Sequence, residues 1–101
     1  MPYTKVAKTS ELPPGESKQV ELNGKKIAIF NVDGALFAME DNCNHKGGPL
    51  SEGILDGKLV TCPWHGARFD VTSGAPAGGP ANGPLPTFPI RVQGDEIEVD
   101  A

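Results

Sequence analysis

The chain predicts an all-β fold. Turn signals recur between short runs that are alternating or wholly apolar: Asn23-Gly24, Asp33-Gly34, Asp56-Gly57 and Gly94-Asp95. Asn-Gly and Asp-Gly suit tight hairpins because both turn positions take positive φ. The longest stretch free of Gly and Pro, Ala35 to Lys46, shows no 3.6-residue apolar period, so a long helix has nowhere to form. Closely spaced short strands separated by turn residues indicate a sandwich or barrel.

The elements follow in order. Gln19-Val20-Glu21-Leu22 alternates polar and apolar and reads as a strand with one buried face. Asn23-Gly24 turns it back into Lys26-Ile27-Ala28-Ile29-Phe30-Asn31-Val32, apolar on both faces and therefore central. Asp33-Gly34 leads to a third strand, Ala35 to Met39. Gly53-Ile54-Leu55 and Lys58-Leu59-Val60-Thr61 flank Asp56-Gly57. Pro89 to Gln93 turns through Gly94-Asp95 into Glu96 to Val99, and the alternation assigns Ile90, Val92, Ile97 and Val99 to a buried face. Ser73 to Pro86 holds Gly74, Gly78, Gly79, Gly83, Pro76, Pro80, Pro84 and Pro86, the composition of a surface loop or linker.

A length of 101 residues makes one domain, 1–101. The net charge of −4 leaves no basic excess for phosphate neutralisation, which excludes general nucleic-acid binding. An acidic surface suits partners met by electrostatic steering. Met1 to Ser10 contains no apolar core of a signal peptide, and no run approaches the roughly 18 apolar residues of a membrane span. A cytoplasmic protein without a membrane anchor is expected. In that compartment paired cysteines bind metal more often than they form a bridge.

Chemistry concentrates in two short pairs. Cys43-Asn44-His45 has the spacing C-x-H, and Cys62-Pro63-Trp64-His65 has C-x-x-H, with 16 residues between the pairs. Together they use both cysteines and both histidines of the chain. Two thiolates and two imidazoles suit tetrahedral zinc, or a [2Fe–2S] cluster in which two His replace two Cys on one iron. Classical zinc fingers place two Cys together and then two His on a helix. Here Cys and His alternate. The one-residue gap fits an extended loop, where positions i and i+2 share a side.

The surrounding residues carry a resemblance. Cys43-Asn44-His45-Lys46-Gly47-Gly48-Pro49-Leu50 and Cys62-Pro63-Trp64-His65-Gly66-Ala67-Arg68-Phe69-Asp70 resemble the soluble Rieske ferredoxins of bacterial ring-hydroxylating oxygenase systems. The similarity runs from about Val6 to Val99 and is most specific over 41–70. It implies an antiparallel Rieske-type β-sandwich with a small cluster-binding subdomain at about 41–70. It also implies one [2Fe–2S] cluster per chain, with Cys43 and Cys62 on the inner iron and His45 and His65 on the outer. Formal charge explains the mixed set. Two Fe(III), two sulfides and two thiolates sum to zero, whereas four thiolates leave −2, so the neutral centre accepts an electron more readily.

The resemblance assigns further roles. Gly47, Gly48 and Gly66 would let backbone N–H groups approach the sulfurs. Pro49, Leu50 and Trp64 would cover the site, and the 73–86 segment would form a third covering loop with Pro80 nearest the metal. High-potential respiratory members carry a Ser and a Tyr whose hydroxyls hydrogen-bond at the cluster; the matching positions here are Ala67 and Phe69. Those members also have a disulfide for which this chain has no cysteines left. Lys46 departs from the family, which more often has an apolar residue there.

As a function, the resemblance implies a monomeric one-electron carrier, not an enzyme, between a flavin-dependent NAD(P)H reductase and a terminal Rieske oxygenase. No G-x-G-x-x-G nucleotide fingerprint is present, and no His remains for a mononuclear iron site. Two alternatives stand beside it: the small subunit of an assimilatory nitrite reductase, and a zinc-stabilised interaction module.

Overall fold

The structure, a computed structural model, describes residues 3–41, 50–63, 66–78 and 84–100. Its strands are β1 (Thr4–Lys8), β2 (Ser17–Leu22), β3 (Lys25–Val32), β4 (Ala35–Glu40), β5 (Ile54–Asp56), β6 (Leu59–Thr61), β7 (Arg68–Asp70), β8 (Pro76–Gly78), β9 (Thr87–Phe88), β10 (Ile90–Gln93) and β11 (Glu96–Val99). Single 3₁₀ turns lie at Thr9–Glu11 and Leu50–Glu52. Among the described residues there is no α-helix.

The strands form three antiparallel sheets, ordered β1-β11-β10, β2-β3-β4-β9 and β5-β6-β7-β8. The expected all-β class is therefore observed. The turns do what their residues allow. Asn23 and Gly24, then Asp33 and Gly34, are both at positive φ and join strands paired Leu22↔Lys25 and Val32↔Ala35.

β3 is central, as its two apolar faces require. Ile27 to Asn31 are all buried, and the two faces feed different cores. Ile27 and Ile29 join Val20, Ala38, Leu12, Ala7, Ile97 and Val99 against the β1-β11-β10 sheet. Ala28 and Phe30 join Met39 against Leu50, Val60, Cys62, Ala67, Phe69, Val71 and Leu85. The middle sheet is thus covered on both sides, and one of its faces supports the β5-β6-β7-β8 layer. Each fully buried Ile or Phe in these layers contributes about 1.5–3 kcal/mol.

Two readings of the sequence need correction. Val92 is 47% exposed, although Ile97 and Val99 are fully buried and Ile90 is partly so. β10 is an edge strand, so alternation puts Val92 on the core side of the sheet at a point no neighbouring strand covers. The segment from Ser73 is also not all loop. Pro76–Gly78 pairs with β7, with a register shift between Arg68 and Phe69. A proline in this strand is tolerated because β8 is an edge. Pro80 lies outside the described residues.

Candidate metal centre

β6 and β7 build the second motif. Their ladder runs Leu59↔Asp70, Val60↔Phe69 and Thr61↔Arg68. The Cys62 N–H then donates to the Ala67 carbonyl at 2.7 Å, which extends the pairing past the ladder. Cys62 therefore stands at the end of the paired β6 and β7, where the C-x-x-H spacing begins. Gly66, next to Ala67, has φ +75°, the left-handed region in which a Cβ is strained. Cys62 is 2% exposed and packs in the core that contains Leu50, Ala67, Phe69 and Leu85. That core presents a methyl group at 67 and a phenyl ring at 69, both fully buried and neither with a hydroxyl.

Below the hairpin, Asp70 organises the turn into β8. Its Oδ1 accepts from the Thr72 hydroxyl at 2.5 Å and the Thr72 N–H at 2.9 Å, and its Oδ2 lies 3.6 Å from the Lys58 ammonium. Hydrogen bonding from the Thr72 hydroxyl, aided by its N–H and by Lys58, holds the Asp70 carboxyl below the usual carboxylate range against the opposing effect of burial.

The residues that flank the segment with the first motif, Asp41 and Leu50, are described. β4 ends at Glu40, and the chain re-emerges at the Leu50–Glu52 turn. Asp41, 4% exposed, joins the two ends. Its Oδ1 accepts from the Ser51 N–H at 2.8 Å, and its Oδ2 accepts from the Ser51 hydroxyl at 2.5 Å and from Gln19 Nε2 at 2.6 Å. Ser17 Oγ donates to the Ser51 carbonyl at 2.7 Å, and the Asp41 N–H donates to the Lys26 carbonyl at 2.9 Å. Leu50, expected to shield the site, is fully buried in the same core as Cys62.

Of the expected ligands, Cys62 is placed by the structure. Cys43, His45 and His65 lie outside the described residues, as do Lys46, Gly47, Gly48, Pro49 and Trp64. Sequence reasoning missed Asp41, Ser51, Gln19 and Ser17. The available signal was period-2 alternation in β2, which sets Ser17 and Gln19 on the face opposite Val20.

The family model of the Rieske [2Fe-2S] domain matches residues 3–89. The chain belongs to this family. A biphenyl dioxygenase ferredoxin subunit from Pseudomonas sp. (strain KKS102) is 45% identical over 101 residues, covering 99% of this chain and 93% of the relative. Among solved structures, one chain in a complex of reduced oxygenase and oxidized ferredoxin in carbazole 1,9a-dioxygenase is 38% identical. It has a TM-score of 0.90 and covers 96% of this chain and 91% of its own. The ferredoxin of carbazole 1,9a-dioxygenase from Nocardioides aromaticivorans IC177 is 28% identical with a TM-score of 0.92, covering 98% of this chain and 97% of that one.

A Rieske domain holds one [2Fe–2S] cluster per chain. The residues present fit that group. Two Cys and two His are the Rieske donor set, and Cys62 sits where a thiolate is shielded from water by an apolar core. Family membership displaces the zinc module as a reading of the pattern. No helix among the described residues is long and apolar enough to cross a membrane.

Proposed function

We propose that this protein is the electron-carrying ferredoxin of a ring-hydroxylating dioxygenase system, accepting electrons from a flavin-containing NAD(P)H reductase and delivering them to a terminal Rieske oxygenase. The observation that carries this reading is similarity over essentially the whole chain to ferredoxin components of such systems, 99% of it in the biphenyl relative. The solved oxygenase–ferredoxin complex in carbazole 1,9a-dioxygenase supports the oxygenase as partner. The same relatives favour this role over that of a nitrite reductase subunit.

Cys43 and Cys62 are read as the thiolate ligands of one iron, and His45 and His65 as the imidazole ligands of the other. When bound, the cluster supplies one-electron redox chemistry. The chain contributes its environment. The apolar core around Cys62 excludes water, and Ala67 and Phe69 offer no hydroxyl that would stabilise added electron density. Residues 41–70 are read as the cluster-binding subdomain of a single domain. A monomer in the cytoplasm suits a carrier that docks transiently with two partners, and the acidic charge of −4 supports steering to them.

Purified protein made under iron-replete conditions should contain about two iron and two acid-labile sulfide per chain. It should restore NAD(P)H-driven turnover when added to a reductase and terminal oxygenase of this class. Cys62→Ser and His65→Ala should each abolish the native visible spectrum. Stoichiometric zinc without sulfide, or a native spectrum after replacement of both His45 and His65 by Ala, would overturn the assignment.

A further inference from the structure

We propose that Asp41 is a positioning residue whose carboxylate clamps the two ends of the segment carrying Cys43 and His45, and so controls how firmly the cluster is held; this rests on the ligand reading above. Asp41 and Ser51 bracket residues 42–50. One carboxylate accepts both the N–H and the hydroxyl of Ser51, while Gln19 anchors it to β2. Ser17 fixes the Ser51 carbonyl from the same strand. Both ends of the segment are thereby tied to each other and to the middle sheet.

The chemistry of the clamp is specific. A buried carboxylate is costly unless its lone pairs are occupied. Here the hydrogen-bond partners among the described residues are neutral donors from Ser51 and Gln19, not a cation. Asp41 is held by geometry: among the described residues, its carboxylate is satisfied by the convergence of residues 41, 51 and 19. Opening the segment base exposes an unsatisfied carboxylate, so the arrangement favours one spacing of the two ends. Asn31 gives an internal comparison, because it and Asp41 are the buried polar side chains among the described residues. Asn31 Nδ2 donates to the Leu12 carbonyl at 2.8 Å, and its Oδ1 accepts from the Gly34 N–H at 2.7 Å. That network ties the β3–β4 turn to the loop after β1 and touches neither motif.

The test uses cluster-loaded protein. Loss of visible absorbance in excess iron chelator gives a release rate, protein-film voltammetry gives the midpoint of the cluster that remains, and urea unfolding gives global stability. Groups bonded directly to metal ligands alter affinity about 10–100-fold; Asp41 acts one step further out, through the segment, so Asp41→Ala should release its cluster about tenfold faster, the lower end of that range. Ser51→Ala keeps the backbone N–H bond and should fall between. Asp41→Asn keeps an acceptor for the Ser51 N–H and should recover most of the retention. The midpoint of the Asp41→Ala protein should move, whereas Asn31→Ala should lower global stability with a release rate and midpoint near wild type. Wild-type release and midpoint in Asp41→Ala, or equal acceleration by Asn31→Ala, would overturn the proposal. If Asp41→Ala does not fold, the comparison of Ser51→Ala with Asn31→Ala decides in the same way. Cys43→Ser distinguishes the two layers of inference. An empty Cys43→Ser protein beside a native Asp41→Ala protein sinks the clamp alone, and a native spectrum in Cys43→Ser sinks the ligand reading with it.

Discussion

Replacing Gly53 by Ala should destabilise this protein by steric collision, although its φ is not in the left-handed region. Gly53 follows the Leu50–Glu52 turn, and its N–H donates to the Leu50 carbonyl at 2.9 Å. A Cβ built there would collide with the Thr61 carbonyl oxygen, inside the 3.0 Å that real Cβ atoms essentially never cross, and would lie 3.1 Å from the Leu50 oxygen. Both obstacles are backbone, so no side chain can swing away. Overpacking of this kind costs typically about 1–3 kcal/mol, and with rigid neighbours the upper end applies. Removing glycine also restricts the unfolded chain, which offsets about 0.4–1 kcal/mol. The net loss is then about 2 kcal/mol. With a urea m value of about 1.5 kcal/mol/M, the unfolding midpoint falls by roughly 1.3 M. Gly57 is the matched control in the same hairpin. Its φ is +61° and a Cβ there meets nothing within 4 Å. Gly57→Ala carries only backbone strain of about 1–2 kcal/mol, partly offset by the same entropy term, so its net loss is about 1 kcal/mol or less. Urea titrations of both variants, followed by far-ultraviolet circular dichroism, provide the assay. Because Thr61 precedes Cys62, Gly53→Ala should also retain less iron than Gly57→Ala. A Gly53→Ala midpoint within about 0.5 M of wild type, or a larger effect at Gly57, would refute the steric argument.

The electron potential and the pH response yield two further predictions. With Ala67 and Phe69 buried and lacking hydroxyls, the midpoint should lie near the low end of the Rieske range, about −150 mV, and Ala67→Ser combined with Phe69→Tyr should raise it. Voltammetry returning a wild-type value above roughly +100 mV would count against the role given to those positions. The Asp70 carboxyl is depressed by the Thr72 hydroxyl bond, so the stability it contributes is present above the unfolded pKa of about 3.9 and is lost as pH falls through the lower folded value. Thr72→Ala should therefore cost about 1 kcal/mol in urea unfolding at pH 6–7 and progressively less below about pH 4. A difference from wild type that does not change with pH would show that the carboxylate is not what Thr72 stabilises.

How much of this was legible in the sequence depends on whether the controlling interaction is local. Asn23-Gly24 and Asp33-Gly34 specify their turns through the φ values of two residues, and both appear where expected. The two apolar faces of Ile27 to Val32 announced a central strand because a strand with no polar face must be covered on both sides. Val92 illustrates the limit. Alternation told which way its side chain points, but exposure depends on β10 lying at an edge, which is a property of strand order. Pro76–Gly78 was obscured for a similar reason: its Gly and Pro content disfavours a strand interior, yet an edge partner of β7 needs little of its own propensity.

The site shows the same division more sharply. The family was visible because metal ligation demands particular atoms, and two Cys and two His used without remainder leave few chemistries open. The support around them was not visible, because it is assembled from distant parts of the chain. Ser17 and Gln19 occupy what periodicity alone marks as the water-facing side of β2. The Leu50–Glu52 turn and the residue after β4 instead come to that face and give both side chains partners, Ser51 for Ser17 and Asp41 for Gln19. Period-2 alternation separates apolar from polar positions, but it does not say whether water or folded backbone satisfies the polar ones. In this protein that distinction separates a solvated strand face from one tied to Asp41 and Ser51, the two residues that bracket the C-x-H motif.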